Sequence, residues 1–195
     1  MLNKEVLINI FKKLLEEAKN SYGDFNSADG KIGDGDLGVT ILHGLEEVNN
    51  SISKFSDDMG ANFMLCSQAF VKKSGSSFGT LIAFSFINIS KILKGKTECS
   101  HDDILNILET ALKTILARGK TNLGDKTIAD SLYLIIKNLK DNQNYSEVLK
   151  LSTKQALEDF KGKKIKIGRA RMFEDKTKDL DDPGMFALNR LSSVF

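Results

Sequence analysis

Three aspartates, Asp29, Asp34 and Asp36, stand within DGKIGDGDLG, with glycines at 30, 33, 35 and 38 around them. Carboxylate oxygens are hard ligands, and glycine lets a backbone turn tightly enough to aim several of them at one point. Two readings of that pattern stand. The aspartates are solvated loop charges and helix caps, as aspartates before helices commonly are, or they converge on a divalent cation that offsets their repulsion. An EF-hand is excluded, because counting from Asp29 puts Lys31 at the second ligand position and Thr40 where a glutamate is required. A few carboxylates completed by phosphate oxygens suit Mg2+.

Three more glycine-bearing loops follow: KKSGSSFGT, ARGKTNLGDKT and GRARMFEDKTKDLDDPG. GKTNLGDKT is not a Walker A loop, since Asp125 separates Gly124 from Lys126 and no strand pattern precedes it. Its glycines could still bring backbone N–H groups to a phosphate or a base, with a helix N-terminus behind them; the alternative is an ordinary helix junction. KGKKIKIGRARM is locally basic but lacks the interleaved aromatics of a nucleic-acid surface, which leaves a solvated strip or a phosphate lid through Arg169. His43 and His101 are isolated and suggest neither a metal pair nor a triad.

The elements that must position these loops are helices. Leu2, Val6, Leu7, Ile10, Phe11, Leu14, Leu15 and Ala18 recur at three- and four-residue steps behind an Asn3 cap. Similar stripes begin at Ile41, Phe63, Phe78, Ile104, Ile128 and Val148, with Ser100 and Asp103 as a capping box and Ser146 as a cap. Asp182 and Pro183 announce a last helix in DPGMFALNRL. No stretch alternates as a half-exposed strand would; KKIKIGRA comes nearest and is short and basic. The expectation is an all-α chain of about eight helices, in one domain spanning residues 1–195. Each glycine loop precedes a helical stripe, and in an antiparallel bundle the junctions after alternate helices share an end.

Composition agrees. The chain is 41% hydrophobic, enough for a core, and the net charge of +2 supplies no field that would draw in nucleic acid or a membrane. The only proline is Pro183. Cys66 and Cys99 form no CxxC pair, no apolar run spans a bilayer, and the N-terminal stretch reads as neither signal peptide nor anchor; a reducing cytoplasm is expected.

IGDGDLG, SGSSFGT, GKTNLGDKT, and GRA followed after eleven residues by DPG, taken in order, resemble the nucleotide-binding L subunits of bacterial dihydroxyacetone kinases across residues 29–184. The resemblance implies an antiparallel eight-helix barrel with ADP or ATP across one end, its phosphates bridged to the protein through two Mg2+ held by Asp29, Asp34 and Asp36. Carried over by position, Leu37, Gly38, Val39 and Thr40 meet the phosphates, Lys73 and Ser74 the nucleotide, and Gly119 and Ile128 its base. Arg169, Asp182, Pro183 and Gly184 cover it.

The resemblance also implies a homodimer, a dihydroxyacetone-binding K subunit as partner and, for a free-standing chain, an M-type phosphotransfer subunit that recharges bound ADP from phosphoenolpyruvate. Catalysis would rest on Asp29, Asp34, Asp36 and Arg169, because phosphoryl transfer depends mostly on positioning and charge neutralisation. The chain departs from the family pattern at Leu37, where a histidine is usual, at Ser76 and Leu123, where prolines are usual, and at Lys73, where a small residue is usual. Leu37 can neither donate a hydrogen bond nor carry charge. It leaves open a relative acting on another small ketose, or a nucleotide-binding regulatory module without turnover.

Overall fold

The computed structural model describes residues 1–73 and 75–195. Nine α-helices account for most of them: α1 Lys4–Asn20, α2 Tyr22–Gly30, α3 Leu37–Ser51, α4 Met59–Lys73, α5 Ser77–Ile92, α6 His101–Gly119, α7 Ile128–Leu139, α8 Tyr145–Asp159 and α9 Pro183–Ser192. Short 3-10 stretches cover Ile52–Lys54 and Arg169–Thr177. The eight apolar stripes of the sequence correspond to α1 and α3 to α9. The ninth helix, α2, carries no stripe, and Phe25 is its one buried residue. Two strands of two residues each, β1 Leu2–Asn3 and β2 Glu98–Cys99, pair antiparallel ahead of α1 and α6 and are too short to show any alternation.

The stripes close a ring. Helix α1 packs on α3, α3 on α4, and so on through α5, α6, α7, α8 and α9, which returns to α1, while α2 lies against α3 and α9. Leu7, Phe11 and Leu15 of α1, Ile41, Leu45 and Val48 of α3, Phe63 and Phe70 of α4, and Ile89 of α5 share one buried cluster. Phe86 of α5 gathers the rings of Phe11, Phe63 and Phe70 at centroid distances of 6.2, 5.8 and 5.8 Å, the tilted and edge-on geometry that aromatic quadrupoles favour. Ile135, Leu139 and Val148 pack α7 on α8 in a second cluster.

Caps fix where each helix begins. Asn3 accepts from the Val6 N–H, Ser100 and Asp103 form the capping box, and Asp182 accepts from the Met185 N–H with Pro183 next in line. The Ser146 cap is corrected to Asn144, which accepts from the Glu147 N–H; the Ser146 hydroxyl donates to the Phe195 carbonyl. KKIKIGRA forms no strand and passes into the 3-10 stretch.

Close backbone approach sets the α4–α5 contact. A Cβ on Gly60 would lie 2.6 Å from the Ser90 carbonyl oxygen and 2.7 Å from the Lys94 Cα. In an open helix Gly→Ala gains about 1 kcal/mol, whereas forcing a methyl against fixed backbone costs about 1–3 kcal/mol. Gly60→Ala is therefore expected to lower the urea midpoint; a raised midpoint would show that the two helices separate freely.

Candidate functional site

The acidic loop is organised by one of its own aspartates. Asp29 lies in the last turn of α2, so it is helical rather than part of a bare loop. Its carbonyl accepts from the N–H groups of Ile32 and Gly33, and its Oδ2 accepts from those of Gly35 at 2.8 Å and Asp36 at 3.1 Å. The chain turns back through Gly35 at φ 75°, where glycine is unstrained. A side chain at Gly33 would collide with Asp29 Oδ1.

This folding brings Asp29, Asp34 and Asp36 together, each with a carboxylate oxygen within 4.8 Å of the others. Burial, then the charges of Asp34 and Asp29, push the Asp36 carboxyl above its ordinary range, and Arg169 opposes the shift. Asp29 spends one oxygen on loop amides as a cap would, whereas Asp36, which immediately precedes α3, makes no side-chain cap bond.

The cap of α3 comes from a residue that the sequence did not single out. Asn26 Oδ1 accepts from the N–H groups of Gly38 at 2.7 Å and Val39 at 3.3 Å. The Thr40 N–H bonds to the Asp36 carbonyl, and the Thr40 hydroxyl donates to Ser76 Oγ at 2.8 Å, tying the first turn of α3 to the start of α5. Leu37, Gly38 and Thr40 are buried, and Leu37 belongs to the main core. Lys73 ends α4 and is exposed; Ser74 lies outside the described residues.

The other loops meet on the same end. Gly119 closes α6, and Lys120 follows it in the left-handed region. Thr127 and Asp130 form a capping box at the head of α7, so Ile128 is the first helical residue. A Cβ on Gly184 would lie 3.3 Å from Ile128 Cβ and 3.3 Å from a Phe78 ring carbon, and one on Gly119 would lie 3.7 Å from Leu81. Phe78, Leu81, Gly119, Ile128 and Gly184 thus adjoin one another where α5, α6, α7 and α9 converge. Phe78 and Leu81 were legible only as core stripe.

Residues 161–182 fold over this end. Arg169 pairs with Asp34, and the buried side chains of Ile165 and Ala170 pack on Ile32, inside the acidic loop. The basic strip is thus anchored through Ile165 while Lys163, Lys164 and Lys166 stay exposed. A separate cavity of about 350 Å3 opens between α2, residues 179–181 and α9, lined by Asp24, Lys31, Asp181 and Arg190 among others, and the three clustered aspartates do not line it.

Asp182 caps α9 within reach of charges on the α6–α7 loop and the first turn of α7. Burial of its carboxyl pushes it up to about 7 from an ordinary 3.8, against the opposing N–H groups of Met185 and Gly184 and the charge of Lys126; Asp130 adds to the rise. Between those values the folded chain keeps a proton that the unfolded chain has lost, so this group's stabilising contribution disappears as pH rises from about 4 through 7. Urea midpoints across that window should fall less steeply in Asp182→Asn than in the wild type, and identical slopes would contradict the assignment.

No described helix is long and apolar enough to cross a membrane. The DAK2 domain family matches residues 31–194. The chain is 28% identical over 181 residues to the PEP-dependent dihydroxyacetone kinase 1, ADP-binding subunit DhaL, of Listeria innocua, covering 92% of this chain and 87% of that one. It is 25% identical to the PTS-dependent dihydroxyacetone kinase, ADP-binding subunit DhaL, of Lactococcus lactis, covering 94% and 92%. Its fold is that of the dihydroxyacetone kinase from C. freundii solved in complex with AMP-PNP and Mg2+, with a TM-score of 0.77 at 19% identity over all of this chain and 34% of that one. The chain spans about a third of that longer kinase and almost the whole of the free-standing bacterial subunits, and with its helical ring and acidic loop it belongs to the DAK2 domain family.

Proposed function

We propose that residues 1–195 form one nucleotide-binding domain, the L-type subunit of a dihydroxyacetone kinase. It holds ADP or ATP at the glycine-loop end of the ring through two Mg2+. The observation that carries this reading is the convergence of Asp29, Asp34 and Asp36, with Asp36 left uncapped because Asn26 takes over the start of α3. The donor set fits the ion, since hard carboxylates spaced to share a ligand suit Mg2+ completed by phosphate oxygens. Bound there, the ions would neutralise phosphate charge. The names of the Listeria and Lactococcus relatives, both ADP-binding subunits, support the nucleotide.

The chain's own residues do the rest of the work in this reading. The aspartates fix the phosphate end, and the apolar surface of Phe78, Leu81, Ile128 and Gly184 offers a face for the base. Arg169, on the covering segment beside Asp34, is placed to neutralise the transferring phosphoryl group. The relatives are each called a subunit, which supports an acceptor held on a separate K subunit. The words PEP-dependent and PTS-dependent in the relatives' names support recharging of bound ADP by an M-type phosphotransfer subunit.

Leu37 favours a second reading. It is 5% exposed and packs in the core, and its side chain can neither donate a hydrogen bond to a phosphate nor carry charge. A nucleotide-binding regulator without turnover, or an L chain serving another small ketose, follows from that. An assay of dihydroxyacetone phosphate formation with K subunit and phosphate donor added separates these from the kinase.

Asp34→Asn and Asp36→Asn test the shared basis of both readings. Each is expected to weaken ADP binding in magnesium at least ~10-fold by calorimetry, with helicity unchanged, because neutral amides lose the charge that opposes the cations. Unchanged affinity in both variants would overturn the metal assignment.

A further inference from the structure

Among the described residues, Lys126 is the one lysine or arginine that is fully buried, at 1% exposed, and it sits in the left-handed region at φ 62°. No carboxylate comes within ion-pair distance of it among the described residues. Instead its ammonium donates to three backbone carbonyls: Lys163 at 2.9 Å, Thr177 at 3.1 Å and Lys178 at 3.5 Å. Those contacts engage all three of its N–H donors. The charges of Asp181, Asp182 and Asp179 act on it from beyond contact distance, and a buried charge without a contact ion pair is costly unless its hydrogen bonds are satisfied, so the arrangement depends on those carbonyls staying in place.

The three carbonyls lie at the two ends of one excursion of the chain. Lys163 is where it leaves the region of α8, and Thr177 and Lys178 are where it returns. Further ties lie at the same neck: the Ile165 N–H donates to Thr177 Oγ1 at 3.0 Å, the Lys166 N–H to the Asp125 carbonyl at 3.1 Å, and the Gly162 N–H to the Lys178 carbonyl at 3.1 Å. Between the ends run Arg169, paired with Asp34, and Ala170, packed on Ile32. Beyond those contacts the excursion is mostly exposed, and Glu174 sits in a strained conformation at φ 42° and ψ −116°.

We propose that Lys126 is the positioning residue of this covering segment. By gathering the Lys163, Thr177 and Lys178 carbonyls, its ammonium closes the neck of residues 163–178 onto the α6–α7 loop and so sets Arg169 against Asp34. The step from that geometry to nucleotide binding rests on the function proposed above. The geometry itself does not. A methionine of similar length removes all three donors and strands the carbonyls. An arginine keeps the charge but replaces a compact ammonium with a planar fork that cannot direct three donors from one nitrogen.

The test uses the full-length chain. Hydrogen exchange without nucleotide should show amides in residues 163–178 opening at least ~10-fold faster in Lys126→Met than in wild type, with α1, α3, α4 and α5 unchanged. Equal exchange in that segment overturns the proposal. Calorimetry with ADP and magnesium then compares Lys126→Met, Arg169→Ala and the double variant. If Lys126 acts through Arg169, the double variant binds no more weakly than the weaker single variant; additive losses overturn that part. Should wild type bind no ADP, the nucleotide reading falls and the exchange comparison still decides the role of Lys126. Should Lys126→Met not fold, 15N spectra of lysine-labelled wild type decide it. One ammonium must exchange slowly with water, and its absence overturns the proposal.

Discussion

Like charges do not gather without a reason, and the proximity of Asp29, Asp34 and Asp36 is the constraint on which the site depends. Asp29 creates it. One of its oxygens collects the amides of Gly35 and Asp36, which folds the loop back over the end of α2 and brings the other two carboxylates beside it. The cost of that proximity is visible in the raised carboxyl of Asp36 and is partly offset by Arg169 on Asp34. In the proposed function a bound cation would remove the repulsion that the loop geometry imposes, and the contacts that look like ordinary capping would then serve a metal site as well.

The ring of helices decides what faces this cluster. Because successive helices pack on one another and the ninth returns to the first, the starts of α3, α5, α7 and α9 share one end. Local contacts lock them there: Thr40 to Ser76 joins α3 with α5, and Gly184 against Ile128 and Phe78 joins α9 with α7 and α5. The covering segment touches both halves of that end, through Ile32 on the acidic loop and through Lys126 on the α6–α7 loop. The subsites proposed for metal, phosphate and base are therefore mechanically connected, although four stretches of sequence supply them.

Much of this was legible in the sequence, for physical reasons. Eight helices announce themselves because each buries a stripe at helical spacing, and the aspartate cluster announces itself through the glycines that its tight turn needs. α2 stayed hidden because it buries only Phe25 and leaves Asp24, Ser27 and Gly30 exposed, so no periodicity marks it. Asn26 stayed hidden because its partners, Gly38 and Val39, are twelve and thirteen residues away and meet it only after the loop has folded. Lys126 reads as one more cation of a basic loop. Its burial becomes evident only when the carbonyls at 163, 177 and 178 are brought to it, a contact across 37 to 52 positions that local pattern cannot carry. The cap before α8 was misplaced by two residues because Asn144 and Ser146 are both competent caps, and the hydroxyl of Ser146 donates to the Phe195 carbonyl.

Mass spectrometry of the intact protein under native conditions, with ADP and magnesium supplied and then with the magnesium chelated, tests the central claim most directly. The proposed function predicts a species carrying one ADP and two Mg2+, lost together on chelation, because the phosphates would be held to the aspartates through the ions. ADP retained undiminished after magnesium is removed, or no ADP at all, would contradict the account.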